Sequence, residues 1–175
     1  GWVSRRVITE TTENVSLRNV EDYPDIIKVP IGSFRSPEYF LLENRMKTGF
    51  DSHIKDEGIL IWHVNERVSS NASDRSRMVD VEEATQRQDL DLGPFVQILS
   101  SDYQDAYTSS RNSLFHDGTN PSANTCQNGE SQVSIKVNSD PQAQMSLDVE
   151  IPTIESISGN PLVVANEGFT TGEFS

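Results

Sequence analysis

With a single cysteine in 175 residues, the chain can form no internal disulfide, and Cys126 has no companion at a spacing that would hold a metal. Cys126 therefore reads as an incidental thiol in a polar loop. No apolar run approaches the ~20 residues of a helix that spans a bilayer, so no membrane-crossing helix is expected. Basic residues are scarce as well. Against 27 Asp and Glu stand only 14 Lys and Arg, and the net charge of -13 repels phosphate backbones, which excludes nucleic acid as the expected partner. Gly1-Trp2 opens the chain with neither the basic start nor the apolar region of an export signal, so any such signal is expected on a longer precursor.

The motifs of common catalysis are missing too. The sequence contains no H-E-x-x-H, G-x-S-x-G, P-loop or G-x-G-x-x-G pattern. His53, His63 and His116 lie far apart, and none has a second histidine close enough to make a local zinc pair.

What is present is a succession of short segments rich in β-branched and aromatic residues, separated by polar turns: 3–9, 15–20, 26–31, 39–43, 59–64, 78–82, 133–137 and 145–151. Only 73–92 offers a modest helical candidate, through its "EEATQRQ" segment. Short strands with little helix predict an all-β fold, an antiparallel β-sandwich of jelly-roll or Ig-like type. The sandwich domain is expected over 1–151, with 152–175 as a linker or the start of a following β module. Residues 85–131, rich in Asp, Ser, Asn and Gln, read as one long irregular connection.

"GILIWHV" is apolar at successive positions, which predicts a central strand covered on both faces. Alternation puts Ile59, Ile61, His63 and Asn65 on one face and Leu60, Trp62 and Val64 on the other, with His63 inside or at a rim. Glu43 and Arg45 share a face two residues apart and suit an ion-paired strand end. Five carboxylates between Asp80 and Asp91 offer the hard oxygens calcium prefers, and Glu83, Asp89 and Asp91 are the calcium candidates, although the EF-hand spacing is not met. Two other functions stay open. A carbohydrate-binding or adhesive module would need exposed aromatics such as Trp2, Trp62, Tyr103 and Tyr107. A hydrolase would need Glu43 and Glu66 facing each other across a cleft.

The ordered blocks "YFLLENRMKTGFD", "GILIWHVNE" and "MVDVEEA", followed by "SLFHDG" and "VSIKVNSDPQAQMSLDVEI", resemble the region after the catalytic core in secreted zinc metalloproteases of the immune inhibitor A family. The resemblance spans residues 1–151, and Gly1-Trp2 resembles the end of that family's Leu-Gly-Trp segment. Thr85-Gln86, Ser113 and Asn65 stand where the family more often has an acidic-Gly pair, Asp and Asp. What the resemblance implies is a non-catalytic β domain of a secreted bacterial hydrolase, a peptidase whose zinc and general base belong to a core outside this chain. It implies no catalytic role for Glu43, Arg45 or His63, which would instead orient the β domain against the protease core. Neighbouring β modules, and protein or peptide substrate reached through the parent, are the partners it implies.

Overall fold

The computed structural model describes residues 4–73, 77–85 and 104–152. Among these residues the strands are β1 (Ser4–Val7), β2 (Thr12–Arg18), β3 (Asp25–Pro30), β4 (Glu38–Arg45), β5 (Gly58–Asn65), β6 (Val79–Val81), β7 (Leu114–Phe115), β8 (Ser134–Val137) and β9 (Gln144–Glu150), with one short 3-10 turn at Gly49–His53. They form a five-stranded sheet in the order β1-β3-β4-β5-β6 and a four-stranded sheet in the order β2-β9-β8-β7. The fold is all-β, built as two sheets with a shared core, as the sequence pattern predicts.

The core lies where the two inner faces meet. Leu17, Met145 and Leu147 from the smaller sheet and Ile27, Phe40, Leu42, Ile59 and Ile61 from the larger are all fully buried in one cluster. Each contributes about 1.5–3 kcal/mol relative to an exposed position. In β9 the alternation is strict, and in β2 it holds from Val15 onward, past the register shift between Thr12 and Val15. Val15, Leu17, Met145, Leu147 and Val149 face inward, whereas Arg18, Gln144 and Glu150 face water, so this sheet has one wet face.

β4 and β5 pair antiparallel along their whole length, from Glu38 opposite Asn65 to Arg45 opposite Gly58. The register sets Phe40 beside His63 and Leu42 beside Ile61 on the inner face, and Leu41 beside Trp62 on the outer one. A left-over glycine conformation ends this ladder. Gly58 has φ +140, and a Cβ there would come within 2.7 Å of the Tyr107 carbonyl oxygen, where Ile59 and Tyr107 exchange two backbone hydrogen bonds.

Two polar side chains stitch the sheets together. Asn44, fully buried on the inner side of β4, donates from Nδ2 to the Leu17 carbonyl at 3.2 Å and the Gln142 carbonyl at 2.9 Å. Asp25 accepts from Arg6 Nε of β1 at 3.1 Å and from Arg18 Nε of β2 at 3.4 Å, and so ties strands of both sheets.

Two expectations need correction, and a third gains detail. The sandwich is not wholly antiparallel, because β1 pairs β3 in parallel, Ser4 to Asp25 through Val7 to Lys28. The chain leaves the first sheet after β1, runs β2 in the second sheet and returns as β3, so β1 and β3 enter their sheet in the same direction. Where the helical candidate 73–92 is described, it carries strand β6 and then a turn. Val79, Asp80 and Val81 pair with β5 there, and residues 86–92 of the candidate lie outside the described residues. Of the stretch read as one irregular connection, the described residues 104–131 are irregular apart from the two-residue β7, and they are tied together locally. Asp117 accepts hydrogen bonds from Ser131 N, Ser131 Oγ and Gln132 N at 3.0, 2.9 and 2.7 Å, which folds the loop back on itself. Beyond Pro152 the expected linker lies outside the described residues.

Candidate functional site

The two faces of the β4–β5 pair carry different chemistry. On the inner face, at the end where Glu38 opposes Asn65, three polar side chains from separate segments converge on His63. His63 sits on β5, and β4 brings Glu38, whose Oε1 lies 3.0 Å from His63 Nε2. Glu82 follows β6, which pairs with β5 so that Asp80 faces His63, and its Oε1 lies 3.1 Å from Nδ1. From the loop after β7 comes Cys126, its Sγ 3.8 Å from Nε2. The Cys126 backbone N–H also donates to Glu38 Oε1 at 2.6 Å, which fixes this loop to the start of β4. Phe40 closes the inner side, its ring centroid 4.8 Å from the imidazole.

His63 is only 8% exposed and Glu38 likewise 8%. Burial opposes a charged ring, but hydrogen bonds and negative charge from Glu82 and Glu38 outweigh it and hold the His63 pKa above its ordinary 6.5. The Cys126 thiol is pushed up, first by burial and then by the two carboxylates, against the opposing hydrogen bond of Asn65. Both ring nitrogens of His63 are already engaged by carboxylates and the Cys126 thiol is pushed up, so the pair is poorly set to activate a thiolate, which argues against a cysteine-histidine hydrolase.

On the outer face, Trp62 Nε1 donates to Glu43 Oε1 at 3.0 Å, and Arg45 bridges Glu43 and Asp51 at 3.0 and 2.7 Å. Beside this group runs a groove of about 490 Å³ lined by Ile26, Tyr39, Leu41, Trp62, Val64 and Val79. At the opposite end Tyr39 donates its hydroxyl to Glu66 at 2.8 Å, and Lys28 Nζ stands 3.4 Å over the Tyr39 ring. "GILIWHV" is thus apolar on both faces as expected, but among the described residues only the inner face meets a second sheet.

The interface candidates separate accordingly. Glu43 and Arg45 lie together on the outer face, and His63 lies on the inner face among Glu38, Glu82 and Cys126. Of the calcium candidates, Glu83 is buried at 2% exposure, while Asp89 and Asp91 lie outside the described residues. Glu43 and Glu66 are held at different levels of β4. Glu66 is bonded to Tyr39, four residues from Glu43, or ~13 Å along a strand. Both carboxylates are already engaged, Glu43 by Trp62 and Arg45 and Glu66 by Tyr39, which leaves neither free to serve as one of a glycosidase's facing pair. Tyr107, a candidate for an aromatic binding platform, is 2% exposed and packs edge-on against Phe115, so it cannot stack on a sugar. Trp2 and Tyr103 lie outside the described residues.

Sequence reasoning missed Glu38, Glu82 and Cys126 as companions of His63. Parity along β4 would have put Glu38 on the Phe40 face had the strand been started one residue earlier. No sequence signal brings Cys126 there, because 63 residues separate it from His63.

In comparisons with protein-family models, curated proteins and solved structures, the chain matched none. Among the described residues no helix is long and apolar enough to cross a membrane.

Proposed function

We propose that the chain is the non-catalytic β domain of a secreted metalloprotease-like protein, and that it seats against the catalytic region of that protein through the outer face of its five-stranded sheet. One observation carries the reading. The central strands β4 and β5 present Leu41, Trp62 and Val64 on the face away from the core, beside a groove about 490 Å³ in volume. Apolar side chains on both faces of a central strand are the pattern of a sheet covered on both sides. The polar groups at the two ends of the groove, Glu43-Arg45-Asp51 and Lys28-Tyr39-Glu66, are the rim expected around an apolar contact. The ordered sequence blocks that resemble the immune inhibitor A family support this choice of parent and its export.

Two experiments test this. A photo-crosslinking residue at Leu41 or Val79 in the full-length parent should join peptides of the catalytic region, whereas crosslinks to a second copy of the β domain, or none, would refute the seating. Separately, the purified chain with added zinc should not cleave casein. Cleavage abolished by a chelator would overturn the non-catalytic assignment.

A further inference from the structure

The geometry points to a metal site on the inner face, in which Glu38, His63 and Cys126 bind a zinc-like divalent cation and Glu82 orients the histidine. This inference stands apart from the seating of the outer face.

Carboxylate oxygen, imidazole nitrogen and thiol sulfur from these three residues all lie within 4.8 Å of one another. A tetrahedral zinc with bonds of about 2.0–2.3 Å separates an oxygen and a nitrogen ligand by roughly 3.3 Å and a nitrogen and a sulfur ligand by roughly 3.6 Å. The corresponding distances here are 3.0 Å for Glu38 Oε1 to His63 Nε2 and 3.8 Å for Cys126 Sγ to the same nitrogen. Both donor pairs that share His63 Nε2 therefore stand within a few tenths of an ångström of coordinating separations, and side-chain rotation of Cys126 within its loop is enough to close the third.

The arrangement around the histidine adds a second argument. With its proton on Nδ1, His63 donates to Glu82 at 3.1 Å and turns the Nε2 lone pair toward Glu38 and Cys126. A carboxylate behind the far nitrogen of a ligating histidine is the recurrent outer partner of protein zinc sites, where it sets tautomer and ring angle. Phe40 packs against the ring and the three donors come from two paired strands and a loop tied to β4 by the Cys126 N–H. The site is therefore held by the core and not by surface side chains.

The donor set also selects the ion. A thiolate and an imidazole favour zinc and its soft neighbours over calcium or magnesium, which take oxygen. On binding, the Cys126 thiol releases its proton to solvent, as does His63 Nε2 in any molecule whose ring is charged, and the sulfur bonds the metal as thiolate while the ring keeps its Nδ1 proton on Glu82. Three protein ligands leave a fourth position for water.

Zinc alone is the probe. The 175-residue chain, stripped with chelator, loaded and dialysed, should retain one zinc ion per chain and melt at a higher temperature than the stripped form. Cobalt in its place should give a thiolate-to-metal charge-transfer band. Cys126→Ala should abolish that band and weaken zinc binding by more than ~100-fold, with the melting temperature of the stripped protein unchanged. Glu82→Gln should keep the band and weaken binding by ~10–100-fold, the effect of a positioning residue. Zinc should also protect Cys126 of the unaltered chain from alkylation, a readout independent of any variant's folding. A stripped chain that gains neither bound zinc, thermal stability nor protection overturns the site, as does zinc binding undiminished in Cys126→Ala.

Discussion

Replacing Phe40 and Phe115 by leucine, singly and together, measures whether the two sheets face each other as described. Phe40 belongs to β4 of the larger sheet and Phe115 to β7 of the smaller, both are fully buried, and their rings meet edge to face at 5.1 Å and 89°. Alanine is the wrong probe. Two Phe→Ala changes at about 3–5 kcal/mol each would consume most of a typical stability of roughly 5–15 kcal/mol. Leucine keeps most of the volume, so each single change should cost about 1.5 kcal/mol or somewhat less. The edge-to-face pair adds roughly 0.5–1.5 kcal/mol beyond burial, and that increment is lost once in either single variant. The double variant should therefore cost less than the sum of the singles by this amount. In urea unfolding, with a slope of about 2 kcal/mol/M, each single shifts the midpoint by up to ~0.7 M, well within measurement. A coupling under ~0.3 kcal/mol, the scatter expected for sites that do not touch, would refute the inter-sheet contact.

Three further outcomes can be checked directly. Tyr39 is held neutral by burial and by its hydrogen bond to Glu66, which raise its pKa from 10.0 to about 12. Because the folded pKa lies above the unfolded one, this contribution to stability is complete below pH 10.0 and is lost as pH climbs through about 12. Tyrosinate absorbance should show a group titrating near 12 that disappears in Tyr39→Phe, while Tyr107, pushed up further by its burial, titrates later still in both proteins. Gly58→Ala should destabilise by about 1–3 kcal/mol in thermal unfolding, since φ +140 and the Tyr107 carbonyl oxygen 2.7 Å from the added Cβ leave no relaxed position; an unchanged melting temperature would show that the backbone here can shift freely. Asp117→Ala removes the acceptor of three hydrogen bonds and should speed amide exchange at Ser131 and Gln132 by tenfold or more, while leaving protection in β4 and β5 intact.

The strands were legible because their alternation is strong. Leu17, Met145 and Leu147 alternate with polar neighbours, and the unbroken run around Trp62 marks a central strand, so inward and outward positions follow from parity alone. Asn44 and Glu43 fall on opposite faces for the same reason. Two-residue β7 carries too little pattern to be seen, and its existence depends on Phe115 reaching the Phe40 and Tyr107 rings across the core. The parallel β1–β3 pair was equally hidden, because the direction of a strand within its sheet is decided by which sheet the intervening strand joins. At the inner site, His63 was visible as an inward-facing residue, but its three companions arrive through a β4–β5 register, a β5–β6 register and a distant loop. Pattern reports faces and not registers, so a cluster assembled across three registers leaves no trace in local spacing.

The pairing of β2 with β9 brings Thr12 against Val149. On a ribosome that emits the chain from its N-terminus, β2 waits for nearly the whole of this segment before it finds its neighbour, while the oily strands around Phe40 and Trp62 have long since emerged. Such distant closure is slow, and it leaves a half-built sheet open to association during synthesis. A stop codon placed shortly before residue 144 should accordingly give a product that clumps and is degraded more than the whole chain, however many of the other strands it retains.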